Sequence, residues 1–530
     1  MVSEKEENAK KKPEIYPHLN KFELLFYVVT WLCLYFLAIK QVYPLSLENL
    51  PKSLRNGYLQ VSRSWFTSKL IFDKSDYEWE LWNHFFLETV VYAFTGHFIV
   101  MRICEKINSQ YRFCASAIYT TFFCWHFFGL QAFLLLCAQS FIMLTVTYFT
   151  ESVFLIWGSC IMLIVSMHTE TSYEVVGKML NDTDLLLVLF ICSCSMCNLR
   201  YTSYCLEYCW KQTHEKQQQK KDKTKSKAGQ QTSFFNMVVE LFLYQLYFPL
   251  FVGGPIVTYN MFIQQKNADQ VSTWTWKFCL KFVFGLLRYT FWHFFLNFIL
   301  YYMHFSSIHY DTHILETVPL LTLCGLALCS VQFFCMKYMI MYGLPHHYAT
   351  SDNLQVPAGS HCVSSKHRFT DMWKYFDRGL HKWLVRYIYI PLGGSNPDMN
   401  FLQKTINSLV PFAFVYVWHG TTQHYFIWAV LNWFGVYIEK VALDVYRSTT
   451  FQEFETKYFS PQWSRRLRAI ISSLPFSLLI VSNIYFLSGV EVGNIYMKRI
   501  YTEDFWGFIC IHFALVCGAQ TSMELMRLGF

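Results

Sequence analysis

Between Lys404 and Glu439 the chain carries no charged residue and only two ionisable ones, His419 and His424. His419 sits in Val415-Tyr416-Val417-Trp418-His419-Gly420, inside a long apolar run. A titratable side chain in such a place is a functional candidate by default. Near neutral pH an imidazole can take the proton of an attacking amine or hydroxyl. The glycine that follows permits close approach of backbone or substrate. Position alone fits equally well a histidine that only hydrogen-bonds between helices.

A second stretch, Asp371 to Gly394, mixes charge with aromatic rings. On a helix, Asp377 and His381 stand one turn apart and share a face. Lys374, Arg378 and Lys382 form a basic stripe beside them, and Arg386 follows. The run is too charged for a lipid-facing span and too aromatic for a free loop. It predicts a membrane-embedded or re-entrant helix lining a polar cavity. An interfacial amphipathic helix, whose Lys and Arg merely reach toward headgroups, meets the same pattern.

The elements that must position these groups follow from composition. Hydrophobic residues make up 54% of the 530 and charged residues 15%, against about 25% charged in a soluble domain. The chain is therefore an integral, polytopic, all-α membrane bundle. Its net charge of +8 does not point to nucleic acid, because the cations cluster at the ends of apolar runs, above all in 211–227. No basic face on a folded module is visible.

Apolar runs predict roughly ten spans, with re-entrant segments, in one domain over 23–520. Residues 1–22 form a cytosolic tail and 521–530 a C-terminal tail. The first run, Glu23 to Ile39, reads as an uncleaved signal anchor. Segment 114–167 has one acidic residue, Glu151, and no Lys or Arg. It holds two or three crossings, and three, which parity favours, place the Lys-rich loop 211–227 in the cytosol with the N-terminus. They also place Asn181-Asp182-Thr183 on the lumenal side, as a glycosylation acceptor. Pro249, Gly253, Gly254 and Pro255 interrupt another run, which suits re-entrant backbone. Most of the 18 cysteines lie inside apolar segments, as small hydrophobes. Cys192, Cys194 and Cys197 lack a second half-site for zinc, and Cys205 and Cys209 are candidates for S-palmitoylation.

Taken together, Asp371–Ser395 and Trp418-His419-Gly420 resemble the signature of membrane-bound O-acyltransferases, and most closely the Hedgehog acyltransferase branch. Tyr247-Phe248-Pro249-Leu250 with Gly254-Pro255-Ile256 is similar to that family's broken segment. Ser482-Asn483, Phe486-Leu487 and Glu491-Val492-Gly493 are similar to its C-terminal region, and Asp76–Trp82 to its first lumenal loop. The resemblance implies that His419 is the catalytic histidine and Asp377 the essential acidic residue. Phospholipid-directed relatives often carry Asn at the Asp377 position. It further implies palmitoyl-CoA as acyl donor, with Lys374, Arg378, Lys382 and Arg386 near the CoA phosphates and Trp373 beside the donor. Cys362 matches a cysteine implicated as a ligand of haem b. Lys374 departs from a frequent Arg, and the two are not equivalent at a bidentate site.

The implied activity is palmitoyl transfer to the N-terminal cysteine of secreted Hedgehog-type proteins, in the membrane of the endoplasmic reticulum or Golgi. An acyltransferase acting on a lysophospholipid is the first alternative. A non-catalytic regulatory paralogue, which would lack the histidine, and a transporter, which would need charges along several spans, are the others.

Overall fold

A computed structural model describes residues 16–62, 70–181, 183–221, 233–266, 275–362, 365–394, 396 and 398–529. Asp182, in the glycosylation triplet, and 222–227 of the Lys-rich loop lie outside them. Among the described residues, nine helices are long and apolar enough to cross a membrane, or ten if the bent pair Val153–Met167 and Glu170–Met179 is one span. One two-stranded antiparallel hairpin, Leu59–Ser62 with Leu70–Asp73, stands apart from this all-helical plan.

Breaks in the helices follow local chemistry. Segment 114–167 contributes three helices, Arg112–Phe128, Leu130–Thr150 and Val153–Met167. Gly129 separates the first two with φ +83°, a conformation open to glycine because it has no Cβ. Glu151, the acidic residue of that stretch, turns the chain after Leu130–Thr150 and pairs at 2.5 Å with Lys216 near the end of Asp184–Lys221.

The Pro/Gly-broken segment is buried protein. Helix Phe234–Gln245 stops after 12 residues, and Phe248, Pro249 and Leu250 form a buried turn. With no water at that depth, the freed carbonyls need internal donors. Buried Arg200 donates to the Gln245 carbonyl at 2.6 Å, and Thr120 to that of Leu246 at 2.6 Å.

Ion pairs gather the chain ends. Glu23 at the start of Lys21–Glu48 accepts two hydrogen bonds of 2.7 Å from Arg466. Arg465 pairs with Glu524 at 3.0 Å and donates to the Pro17 carbonyl. The last helix, Phe505–Arg527, thus carries most of the expected C-terminal tail as ordered helix. Of the 18 cysteines none is disulfide-bonded. Cys205 and Cys209 are 0% and 1% exposed, so neither offers a thiol for S-palmitoylation, contrary to expectation. Each faces a neighbouring helix from the middle of Asp184–Lys221 and not from its end.

Candidate active site

His419 is the last residue of helix Phe401–His419, which ends because Gly420 adopts φ +116°. Thr421 follows at φ +51°, so two successive left-handed residues throw the chain back into helix Gln423–Arg447. The ring of His419 lies 5.6 Å from Tyr425, 5.7 Å from Trp428 and 5.2 Å from Phe486, centroid to centroid. Among the described residues its ring nitrogens make no hydrogen bond. The residue retains partial accessibility although aromatic rings surround it.

Helix Asp184–Lys221 serves as a depth gauge. The Trp418 indole donates to the Ser195 carbonyl at 3.3 Å, and Trp383 to that of Leu199 at 2.9 Å. Arg386 meets Glu207 through bonds of 2.5 and 2.9 Å. At 1.5 Å rise per residue, the His419 level lies about 18 Å from the Glu207 level. That distance is over half of a hydrocarbon core about 30 Å thick.

Asp377 does not occupy a continuous helix. The segment folds as Phe369–Phe376 and Arg378–Leu384, broken at Asp377, and a π-turn over Val385–Tyr389 follows. The Asp377 carboxylate accepts the Leu380 N–H at 2.8 Å as an N-cap, and the Tyr342 hydroxyl faces it. The helix expected to run through Asp377 is thereby broken there, although the His381 N–H still bonds the Asp377 carbonyl at 3.0 Å, one turn on. An aspartate side chain competes for free N–H groups at a helix start, and here it wins over one more turn of helix.

Two contacts fix this break. Glu439, from helix Gln423–Arg447, accepts the Phe369 N–H at 2.5 Å and also bonds Thr370, which caps the first short helix. At the second, a Cβ on Gly379 would lie 2.4 Å from the Ile256 carbonyl oxygen. The broken segment around Gly254-Pro255-Ile256 thus abuts the backbone of the Asp377 cap. Gly379→Ala should cost about 1–3 kcal/mol, the range for overpacking a core. A lower thermal midpoint with reduced activity is the expected outcome, and an unchanged midpoint would contradict the packing described.

Phe486 connects the two candidates. It touches the His419 ring and lies 6.0 Å from Phe334, which stacks on Phe376 at 5.1 Å, next in sequence to Asp377. The link passes through rings, and among the described residues no ion pair joins Asp377 to His419. Trp373 belongs to the same wall. Its indole donates to Asn432 at 3.2 Å and its ring lies 5.4 Å from Trp428.

The cations divide into two places. Lys374 and Arg378 stand over the Tyr375 ring at 5.5 and 5.0 Å, joined by Lys366 at 4.8 Å. Arg378 also bonds His361. Arg386, by contrast, is committed to Glu207 and lies with Tyr387 beside helix Asp184–Lys221. Lys382 is exposed on its short helix. Lys366 went unnoticed because it stands eight residues before Lys374, outside the charged helical stripe.

Two further groups were illegible as site residues. Lys337, 2% exposed, is shared by Asp76 at 2.8 Å and Glu78 at 2.8 Å, while Tyr338 donates to Glu78 at 2.8 Å. His168 contacts the Trp418 carbonyl at 3.3 Å. Both sets come together across more than 200 residues of chain, where no spacing rule applies.

Haem finds no support at Cys362, whose thiol is exposed. Among the described residues no group of three His, Cys, Asp or Glu could hold a metal ion.

Comparison with known proteins agrees with this architecture. Residues 153–482 match the membrane-bound O-acyltransferase family, a span that holds His168, Asp377 and His419. Protein-cysteine N-palmitoyltransferase HHAT of Mus musculus is 30% identical over 493 residues, 93% of this chain and 95% of its own length. Protein-cysteine N-palmitoyltransferase Rasp of Drosophila melanogaster is 29% identical over 290 residues, 54% of this chain and 56% of its own. The HHAT-like protein of Mus musculus is 25% identical over 90% of this chain and 88% of its own length. Family match, near full-length likeness and a multi-pass helical fold agree: this chain belongs to the membrane-bound O-acyltransferase family and is an acyltransferase.

Proposed function

We propose that this protein transfers palmitate from palmitoyl-CoA to the N-terminal cysteine of secreted Hedgehog-type proteins, in the membrane of the endoplasmic reticulum or Golgi. The observation that carries the reading is the His419 imidazole, without a hydrogen-bond partner among the described residues and ringed by Tyr425, Trp428 and Phe486. Likeness to HHAT and Rasp, both bearing the name of protein-cysteine N-palmitoyltransferases, supports the choice of acceptor. Residues 23–520 form the membrane domain that holds the site, with the N-terminal tail and the Lys-rich loop 211–227 facing the cytosol.

In this mechanism His419 accepts a proton from the acceptor amine as its nitrogen attacks the thioester carbonyl. The new C–N bond forms, the C–S bond breaks, and the proton leaves with the CoA thiolate. Asp377 orients the acceptor or a hydrogen-bonded partner. The acceptor amine arrives as an ammonium and releases one proton to solvent before it attacks, and among the described residues Asp76 and Glu78 share the cation Lys337. One carboxylate in excess suits an ammonium better than the neutral hydroxyl of a lysophospholipid.

CoA is polyanionic, and the Lys366, Lys374 and Arg378 group around Tyr375 is the cluster of cations that answers it. Arg378→Gln together with Lys374→Gln should raise KM for palmitoyl-CoA several-fold, less so at high salt, with kcat little changed. An unchanged KM would assign the phosphates elsewhere.

The test of the acceptor is direct. Purified protein receives palmitoyl-CoA with either an N-terminal-cysteine peptide or a lysophospholipid, and both products are quantified. Peptide acylation is expected. Acylation of the lipid alone would replace this reading with the lipid-directed one.

A further inference from the structure

The catalytic assignment places His419 at the end of a helix, where four carbonyls have no partner within the helix. Both Gly420 and Thr421 turn left-handed, and a threonine in that region stores local strain. Gly420 N–H bonds the Val417 carbonyl at 3.3 Å and Thr421 N–H that of Tyr416 at 3.4 Å. Among the described residues no backbone N–H reaches the Trp418 carbonyl. His168 does, through Nε2 at 3.3 Å.

His168 belongs to another element, the bend between Val153–Met167 and Glu170–Met179. A carbonyl only accepts, so Nε2 carries the hydrogen. Nδ1 is then the acceptor for the Tyr173 hydroxyl, also 3.3 Å away, and the neutral tautomer is set. The same ring packs on the turn itself, since a Cβ on Gly420 would lie 3.3 Å from the His168 Nδ1. One side chain thus bonds the residue before His419 and packs against the residue after it.

We propose that His168 is a positioning residue for the transfer reaction. It caps helix Phe401–His419 from outside and holds the His419 ring at the angle the reaction needs. This rests on the reading of His419 as the catalytic base. The cap is worth having here because a displacement of about 1 Å at a reacting group can cost on the order of a hundredfold in rate.

The experiment uses the full-length purified protein with palmitoyl-CoA and an N-terminal-cysteine peptide, and compares H168A, H168Q and H419A with the native chain. For H168A, kcat should fall about tenfold or more while KM for palmitoyl-CoA stays within about twofold. H168Q keeps an N–H donor and should recover most of that loss, with thermal midpoints matching the native protein. H168A at native kcat, while H419A is inactive, would overturn the positioning role alone. Equal losses in H168A and H168Q with a lowered midpoint would reduce His168 to a structural part. Native rates in H419A would overturn the catalytic reading and this inference with it.

Discussion

Replacing His419 with alanine should lower kcat by about 10²–10⁴, the usual contribution of a positioned acid–base group. Among the described residues the ring makes no hydrogen bond that its removal would leave unpaired. What remains is a hollow among Tyr425, Trp428 and Phe486. The thermal midpoint of the detergent-solubilised protein should therefore move little beside the loss in rate. His419→Gln should be equally inactive, because an amide cannot accept and return a proton near neutral pH. Single-turnover acyl transfer, followed alongside a thermal melt, separates the two effects. A native rate in either variant would remove His419 from the chemistry.

Asp377 has two functions that substitution can separate. Its carboxylate caps helix Arg378–Leu384 through the Leu380 N–H, and it also supplies a negative charge beside Tyr342. Asparagine is as good an N-cap as aspartate. Asp377→Asn should then keep the fold and thermal midpoint but lose tenfold or more in peptide acylation. Asp377→Ala forfeits the cap as well, at about 1 kcal/mol, and should be both less stable and inactive. If Asp377→Asn works at the native rate, the cap is the whole of the residue's contribution.

Much of the bundle was legible because membrane insertion leaves its mark on charge. Long uncharged runs end in Lys and Arg, and 114–167, read as two or three crossings, holds three helices, of which Val153–Met167 is apolar enough to span only together with Glu170–Met179. The helix break at Asp377 left no such mark. An amphipathic pattern runs without interruption from Asp371 to Arg386, and only the steric fit of Gly379 on Ile256 and the Asp377 cap on the Leu380 N–H reveal where it divides. His419 stood out through isolation in an apolar run.

His168, Lys366 and the Lys337 group did not, for a common reason. Each acquires its meaning from a partner on a different helix, and periodicity describes one helix at a time. Cys362 is a different case: its place in a motif suggested haem, and its exposed thiol lends that no support.

The most direct measurement is the mass of an N-terminal-cysteine Hedgehog peptide after incubation with palmitoyl-CoA and the purified protein, read before and after hydroxylamine. Hydroxylamine cleaves thioesters and leaves amides. The account predicts one palmitoyl group that survives the treatment and is absent from the product of His419→Ala. A peptide left unmodified by the native protein, or acylated equally by the variant, would contradict it.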